Sequence, residues 1–400
     1  MTIHSNPKAS LPTPTLGLCA FIVGWDSMVV APIAPTIMDD LDASNHIGSL
    51  LVSSYALAYF LFSPLFGALS DRVGRKTVLV FGLTVFSIGT LLTGLTTSWW
   101  PTIAMRCVAG IGGGMIMPSI FSLIGDNIPP ESRGKTIGNV MAMLLASTVV
   151  GVPLGTYLSD ITSWRWTFGI IAATGLAATA ATVTTIPETK PSHDIATPPA
   201  KAVARMLKAA LQTPVLLTTL AATFCWNAGL QTIFASIGNF YSLQLSLRER
   251  DIALVILGAG IASVAGSIAG GRFIRLIGIK ILITLTASGA ALSVLTLVLT
   301  APHTLPVVLA HIAWSFCIGV GQPALTTLVS ELKPRIRGTA LALNGSTQYS
   351  AMFFASLTGG ILVKSTGSYL LPGIVSALFA ACTTIAIHVA LRKASAFQED

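Results

Sequence analysis

The segment that decides the fold runs from Gly67 to Lys76 and reads GALSDRVGRK. It separates two apolar stretches, Ile47 to Phe66 and Thr77 to Leu95. Each stretch has about 20 residues, which is the length at which a helix crosses the hydrocarbon core of a bilayer. A charged connection this short leaves no room for a soluble domain, so we expect a tight turn at the membrane surface. Its cations would lie among the lipid phosphates, and its glycines would allow two helices to approach closely.

The composition supports a membrane protein over the whole chain. Of the 400 residues, 53% are hydrophobic and 10% are charged, whereas soluble domains have roughly 25% charged residues. Hydropathy predicts twelve membrane-spanning helices. They cover residues 14–36, 47–69, 76–96, 99–122, 136–158, 166–186, 213–237, 250–272, 280–300, 305–329, 338–362 and 368–391.

The formal net charge of +8 is distributed unevenly across the predicted membrane. One side carries Lys8, Arg72, Arg75, Lys76, Arg133, Lys135, Lys190, Lys201, Arg205, Lys208, Arg272, Arg275, Lys280, Lys333, Arg335, Arg337, Arg392 and Lys393. The other side carries Arg165, Arg248, Arg250 and Lys364. By the positive-inside rule, both termini are expected in the cytoplasm. The basic excess is therefore a topology signal, and we expect no nucleic-acid partner.

Residue patterns for metal or nucleophilic chemistry do not occur in the sequence. The five cysteines fall inside apolar spans without a C-x-x-C pair, which favours buried free thiols. There is no metal-ligand spacing, phosphate-binding loop or Ser/His/Asp set. We therefore expect no metal, no cofactor and no enzymatic activity. The polar start of the chain and the long first span also predict that no signal peptide is cleaved.

An isolated carboxylate, Asp26, lies inside the first apolar span. A charge there costs several kcal/mol unless it is paired, hydrated or protonated. Asp26 lies about 18 Å from the cytoplasmic end, and Arg106 in the fourth span lies at about 19 Å. We therefore expect the two to meet near the midplane, as a proton-coupling site. Asp26 is either a structural partner for Arg106 or a carboxylate that titrates or contacts substrate, with Trp25 beside it.

Polar and aromatic side chains inside the second-half spans are further candidates for substrate contact. Asn227 and Gln231 are four residues apart on one helical face, and Asn344 and Gln348 repeat that spacing. Buried amides either bind a polar solute or join neighbouring helices. The candidate set is Trp25, Asp26, Trp226, Asn227, Gln231, His311, Gln322, Asn344, Gln348 and Tyr349.

The pattern G-x-x-x-D-R-x-G-R-K between two spans resembles the signature loop of the major facilitator superfamily. The arginine and small residues from Arg106 to Gly114 resemble the motif of its fourth helix, and Asp126 to Lys135 resembles its entry to the fifth. The resemblance implies that Asp71 faces the positive N-terminus of the eleventh helix and that Arg75 reaches Asp126. Plain topology charges remain the alternative for Arg72 and Lys76. The implied gating residues are Gly67, Asp71, Arg72, Gly74, Arg75, Lys76, Asp126 and Arg133.

A glycine–proline pattern ends the fifth span, with Gly151, Pro153 and Gly155 as the predicted hinge. It resembles the G-P-x-x-G-G kink of antiporters in this superfamily, but has an inserted Val152 and lacks the final glycine. With the following SWRWTF at 163–168, it is similar to the sugar-efflux and chloramphenicol-resistance branch of drug:proton antiporters.

The second half of the chain repeats landmarks of the first. Residues 271–280 align with the opening loop at its glycines and final lysine, and 331–338 are similar to 126–134. A polar, proline-rich linker separates the halves and is expected to hold a short surface helix from Ala202 to Leu211. We therefore predict two six-helix bundles, 1–187 and 213–400, joined by residues 188–212. The substrate site would lie between them near the midplane.

The expected fold is an all-α integral membrane protein with twelve transmembrane helices in two pseudo-symmetric six-helix bundles. The resemblance implies a monomer in a bacterial cytoplasmic (inner) membrane that exports a small organic solute or drug in exchange for protons by alternating access. Asp26 would exchange a proton for solute. A proton-coupled uptake symporter has the same generic motifs, and a membrane receptor without transport is the other alternative.

Overall fold

The computed structural model describes residues 11–44, 47–188, 199–331 and 337–396, and these ranges are almost entirely helical with no strand. The first half contains α1 (Thr13–Asp40), α2 (Leu50–Val73), α3 (Arg75–Leu95), α4 (Trp99–Asn127), α5 (Pro130–Ala146), α6 (Val152–Ile161) and α7 (Trp164–Thr185). A short helix α8 (Pro199–Leu211) follows. The second half contains α9 (Pro214–Phe234), α10 (Ile237–Leu245), α11 (Glu249–Ile277), α12 (Ile279–Leu299), α13 (Thr304–Glu331), α14 (Arg337–Thr366) and α15 (Leu370–Ala396).

Two of the predicted spans are interrupted. The predicted span 136–158 consists of the end of α5, a π-helical turn at Ser147–Gly151 and then α6. The predicted span 213–237 ends at Phe234, and α10 continues after a break at Ala235 and Ser236. In the described ranges, ten helical segments are long and apolar enough to cross a membrane. With α9 and α14, which pack among them but carry buried amides, these are consistent with the predicted twelve.

The expected loop from Gly67 to Lys76 is largely helical, which corrects the sequence-based expectation. Helix α2 continues to Val73 and α3 begins at Arg75, so Gly74 alone makes the turn, with φ 108°. Gly278 makes the same one-residue turn between α11 and α12, with φ 79°. Glycine adopts positive φ at no steric cost, whereas a side chain would strain the backbone.

The two halves use the same set of neighbouring helices. In the first half, α4 packs on α2 and α3, and α7 packs on α1 and α3. In the second half, α13 packs on α11 and α12, and α15 packs on α9 and α12. The pairs α1–α5 and α9–α14 correspond as well. The molecule is thus built from two pseudo-symmetric bundles.

The main contacts between the bundles join α2 to α14, α1 to α10, and both α6 and the π-helical turn before it to α11. Helix α1 also makes a smaller contact with α11. The outward faces of both bundles carry large apolar side chains, such as Leu292 and Leu305, which are 68% and 70% exposed. Exposure of such apolar surfaces to water would be unfavourable, whereas contact with lipid acyl chains is not.

Candidate functional site

Asp26 is completely buried near the middle of α1. Arg106 of α4 donates from Nη1 to Asp26 Oδ2 at 2.7 Å, and both side chains have 0% exposure. The Thr90 hydroxyl of α3 lies 3.3 Å from Asp26 Oδ1 and donates to it. The contact expected from equal helix depths is therefore present. The carboxylate is closed off from the molecular surface in this structure, so it reaches water or solute only after a rearrangement.

The guanidinium of Arg106 is held on several sides by the first half. Its Nε donates to the Leu51 carbonyl of α2 at 3.3 Å. Its Cζ lies 4.7 Å from the Tyr55 ring centroid and 5.8 Å from that of Phe168. A buried cation is stable only when a counter-ion, hydrogen bonds and polarizable rings replace its water. We therefore expect the Arg106 guanidinium to change position when any one of these contacts is removed.

Three tyrosines connect this ion pair to the junction between the bundles. Tyr59 of α2 stacks on Tyr349 of α14, with ring centroids 3.5 Å apart and planes at 14°. Tyr55 lies 6.4 Å from Tyr349, and Tyr349 also hydrogen-bonds to Ser27 of α1. Tyr349 is the candidate from the second half that these contacts bring to the ion pair. Tyr55 and Tyr59 were not in the predicted site, although their spacing of four places them on one face of α2.

Two amide candidates of the second half, Asn227 and Asn344, form hydrogen bonds within their own bundle. Asn227 donates to the Thr223 carbonyl of the same helix at 2.9 Å. Asn344 of α14 accepts a hydrogen bond from the Thr223 hydroxyl of α9, also at 2.9 Å. Gln231 is buried and Gln348 half-buried. Asn344 thus joins two helices, which is one of the two uses that the sequence left open.

The ring candidates of the second half also lie in separate surroundings. Trp226 packs against Gly321, where a Cβ would come within 2.2 Å of the indole. His311 of α13 hydrogen-bonds through Nδ1 with the Tyr241 hydroxyl of α10, and its ring centroid lies 5.5 Å from that of Trp314. Gln322 is half-buried. Apart from Tyr349, none of the predicted second-half residues makes a contact with the Asp26–Arg106 pair among those described above.

Trp25 packs on the predicted hinge. A Cβ at Gly151 would lie 2.7 Å from Trp25 Cγ, and one at Gly155 would lie 3.0 Å from Trp25 Nε1. Gly151 is the last residue of the π-helical turn, α6 begins at Val152, and Pro153 lies in its first turn. Turns of this type break the regular hydrogen-bond ladder and are frequent at functional sites. The glycines thus let α1 press against an irregular segment of the neighbouring helix.

Charged residues connect helices at the end of the molecule that carries the turns at Gly74 and Gly278. We call this end the basic end. Arg75 Nε lies 3.1 Å from Asp126 Oδ2, so the expected contact between α3 and α4 is present. Lys76 lies 3.1 Å from Glu188 and donates to the Val183 carbonyl. Arg133 donates to the Ile128 carbonyl at 2.8 Å.

For two other gating candidates, Gly67 and Asp71, the structure shows no contact among the described residues that indicates a gating role. Gly67 lies in α2, where a Cβ would be in ordinary contact with Pro118 at 3.7 Å. The side chain of Asp71 is outside the described part of the structure, so its place at the eleventh helix stays a prediction. The side chain of Glu331, the second-half counterpart of Asp126, is also outside the described part of the structure.

A second carboxylate, which sequence reasoning missed, connects the bundles at the opposite end. Glu249, the first residue of α11, accepts a hydrogen bond from the Thr36 hydroxyl of α1. Ser159 and Asp160 of α6 lie beside it. Close by, α10 approaches α1 so tightly that a Cβ at Gly238 would come within 2.4 Å of the Pro32 carbonyl oxygen. We call this set of contacts the opposite junction.

A family model described as Major Facilitator Superfamily matches residues 16–356. The chain belongs to the major facilitator superfamily.

Curated members of the major facilitator superfamily are similar to this chain, two of them over most of their length and a third over part of it. An uncharacterised MFS-type transporter of Bacillus subtilis, YceJ, is 28% identical over 348 residues, covering 86% of this chain and 87% of the relative. The quinolone resistance protein NorA of Staphylococcus aureus is 25% identical over 351 residues, with the same coverage. Multidrug resistance protein 3 of B. subtilis is 36% identical over 172 residues, which is 42% of this chain and 33% of that protein.

A solved structure of the superfamily shows the same fold. The crystal structure of a D-xylose-proton symporter superposes with a TM-score of 0.75 at 17% identity, covering 94% of this chain and 96% of the other. At this identity the likeness concerns the fold alone. The family match makes the chain a major facilitator superfamily transporter, and the superposition agrees with its fold of two helical bundles.

Metal ligands do not cluster in the described part of this major facilitator protein. No group of three His, Cys, Asp or Glu side chains comes together there. All five cysteines are free, with Cys19 buried and Cys382 exposed. Exposure of Cys382 corrects the expectation that every thiol is buried. Its position on α15, among lipid-facing apolar residues, explains why a thiol is tolerated there.

Proposed function

We propose that the protein exports a small organic solute from a bacterial cytoplasm in exchange for protons. The proposal includes a monomer in the cytoplasmic membrane with the basic end and both termini inside. Relatives named for quinolone resistance and multidrug resistance favour export of drug-like solutes. The observation that carries the coupling part is the fully buried pair of Asp26 and Arg106.

Protonation of Asp26 would remove the counter-ion of a guanidinium that has no exposed surface. An uncompensated charge in such a place is strongly unfavourable, so Arg106 must find another partner or water. Its ring neighbour Tyr55 lies against the stacked Tyr59 and Tyr349, which join α2 to α14 across the junction. A shift of Arg106 would therefore act on a contact between the bundles. Protonation of Asp26 would thereby change which side of the membrane the substrate site between the bundles opens to.

The residues Asp26 and Arg106 would then be the coupling pair, and Tyr349 the nearest candidate for solute contact. Asn227, Gln231, Gln322 and Gln348 remain candidates for the solute site in the second half. Gly151, Pro153 and Gly155 would serve as the hinge on which α1 and α6 move. Arg75 and Asp126 would hold the basic end closed.

Transport in inside-out membrane vesicles tests this proposal. With a quinolone as solute and an acidic lumen, the exporter accumulates solute inside the vesicle. The uptake symporter gives the opposite coupling sign, and a receptor gives no flux. A thermal-shift panel of antibiotics, sugars and nucleosides on the purified protein selects the solute if quinolones are not bound.

The coupling residue is tested by Asp26→Asn with two assays in the same vesicles. We expect gradient-driven accumulation to be lost while solute exchange without a gradient persists, because the amide binds no proton. Asp40→Asn is the matched control, since Asp40 lies at the end of the same helix and pairs with Arg165. Equal driven transport in wild type and Asp26→Asn would contradict the coupling role.

A further inference from the structure

The linker helix α8 touches both bundles at the basic end. It contacts α2 of the first half, and α9 and α14 of the second. It therefore lies beside the helix termini where the membrane-spanning part of the molecule ends. A helix at that level is at the depth of lipid headgroups rather than in the hydrocarbon core.

The charged residues of α8 lie on one narrow face. Lys201, Arg205 and Lys208 are spaced four and three residues apart, which places them within an arc of about 60°. All three side chains are exposed, and Pro199–Leu211 contains no acidic residue. Within the described ranges, no carboxylate forms a salt bridge with any of the three. The arc therefore presents three cations that the described protein does not neutralise.

Two described apolar residues of α8 lie on the side of the helix away from the cations. Val203 and Leu207 project from the arc opposite the cations by the same helical spacing. Val203 is half-buried, whereas Leu207 is 51% exposed. The bundle thus covers part of the apolar face and leaves a leucine without protein contact over half its surface. A helix with a leucine-bearing face and a Lys/Arg face is typical of segments that lie in the membrane interface.

We propose that α8 lies in the headgroup layer and binds anionic phospholipids, with Leu207 in the acyl boundary and the three cations at the phosphates. Long lysine and arginine stems reach headgroups from the polar side of such a helix. Charge complementarity selects anionic over zwitterionic lipid, because a cation gains from a negatively charged surface and little from a neutral one. Since α8 contacts both bundles, the bound lipid would touch the segment that connects them.

The test compares two triple variants of the full-length protein in detergent micelles. One is Lys201→Gln, Arg205→Gln, Lys208→Gln. Its control is Arg272→Gln, Arg275→Gln, Lys280→Gln, which removes the same charge from three exposed residues at the basic end, around the α11–α12 turn. Each protein is titrated with phosphatidylglycerol and phosphatidylcholine, and the concentration giving half of the thermal stabilisation is measured.

We expect wild type and the control variant to bind phosphatidylglycerol at about tenfold lower concentration than phosphatidylcholine. The α8 variant should lose this preference, and 0.5 M salt should remove it from wild type as well. Equal loss in both variants would show a general effect of net charge and would overturn the proposal. So would a wild type without preference for the anionic lipid.

A second measurement does not depend on the charge variants folding. Leu207→Trp places a fluorophore on the apolar face, and lipids brominated in the acyl chain quench tryptophan that they contact. We expect Leu207→Trp to add a quenched component to the seven native tryptophans. Added emission that brominated lipid leaves unquenched would place this face away from lipid and contradict the proposal. Both readouts are independent of the solute, of the direction of transport and of proton coupling.

Discussion

A single buried ion pair sets an energetic constraint on the first bundle. Asp26 and Arg106 lie 2.7 Å apart with no exposed surface. Asp26→Asn leaves the guanidinium without its counter-ion, so we expect the free energy of unfolding to fall by roughly 3–5 kcal/mol. The variant Arg106→Gln should cost a similar amount because it strands the carboxylate. Unfolding of the purified protein in detergent measures both.

The double variant Asp26→Asn, Arg106→Gln provides the control for this prediction. Two neutral amides of similar size satisfy one another, so the double variant should be less destabilised than the sum of the single variants. Strict additivity of the two single effects would show that the pair contributes no coupling energy. It would also weaken the case for Asp26 as the switch.

The pairing of Asp26 and Arg106 could be predicted because charges are conspicuous in an apolar span, and a rise of 1.5 Å per residue fixes their depths. Their other neighbours could not be predicted. Thr90, Tyr55 and Tyr59 are ordinary residues for a membrane helix, and only the rotation of α2 and α3 about their axes brings them to the site. Sequence periodicity does not fix that rotation when a helix is apolar on all sides.

Individual helices carry their own irregularities, and the hinge between α5 and α6 is the clearest. The glycines and Pro153 predicted a kink, and the structure places a π-helical turn directly before it. The break between α9 and α10 falls at Ala235 and Ser236, neither of which is a residue type that breaks helices. The one-residue turn at Gly74 was also missed, because the charged residues Asp71 and Arg72 suggest a loop although they continue the helix.

Glycine substitutions test the role of the hinge in helix packing. A Cβ at Gly155 would come within 2.6 Å of Val29 Cγ2 and 2.8 Å of Thr167 Cγ2, both on stiff side chains. We expect Gly155→Ala to destabilise the protein by about 1–3 kcal/mol through overpacking. Thermal unfolding in detergent measures the effect.

Gly169→Ala in α7 is the matched control, since a Cβ there meets nothing within 4 Å. It should leave stability unchanged or raise it by up to about 1 kcal/mol, because alanine favours the helix. If Gly155→Ala behaved like this control, α1 would not press on the hinge as described.

At the scale of the whole molecule, the two bundles must separate at one end or the other for transport. Contacts of the opposite junction lie between residues far apart in the chain: Thr36 and Glu249 are 213 positions apart. Such a contact depends on how two finished bundles meet, and no pattern within either half encodes it. The same holds for the stacking of Tyr59 on Tyr349.

The opposite junction also makes the conformational equilibrium testable without a known solute. A Cβ at Gly238 would come within 2.4 Å of a backbone oxygen of α1, which cannot move as a side chain can. Gly238→Ala therefore obstructs the closed junction but not the packing within either bundle. We expect it to shift the equilibrium toward the state that is open at this end. Thr36→Cys reports the shift, since its labelling by a membrane-impermeant maleimide from this face should become several-fold faster.

Gly258→Ala is the control in the same Thr36→Cys background, because a Cβ there would only be in ordinary contact with Ile312 at 3.7 Å. Its labelling rate should equal that of Thr36→Cys alone. The shift must also carry over to function: in inside-out vesicles Gly238→Ala should slow solute flux, since a carrier held open at one end completes fewer cycles. Unchanged labelling and unchanged flux in Gly238→Ala would mean that the bundles do not close against each other at Pro32. The contacts of Glu249 would then be incidental to transport.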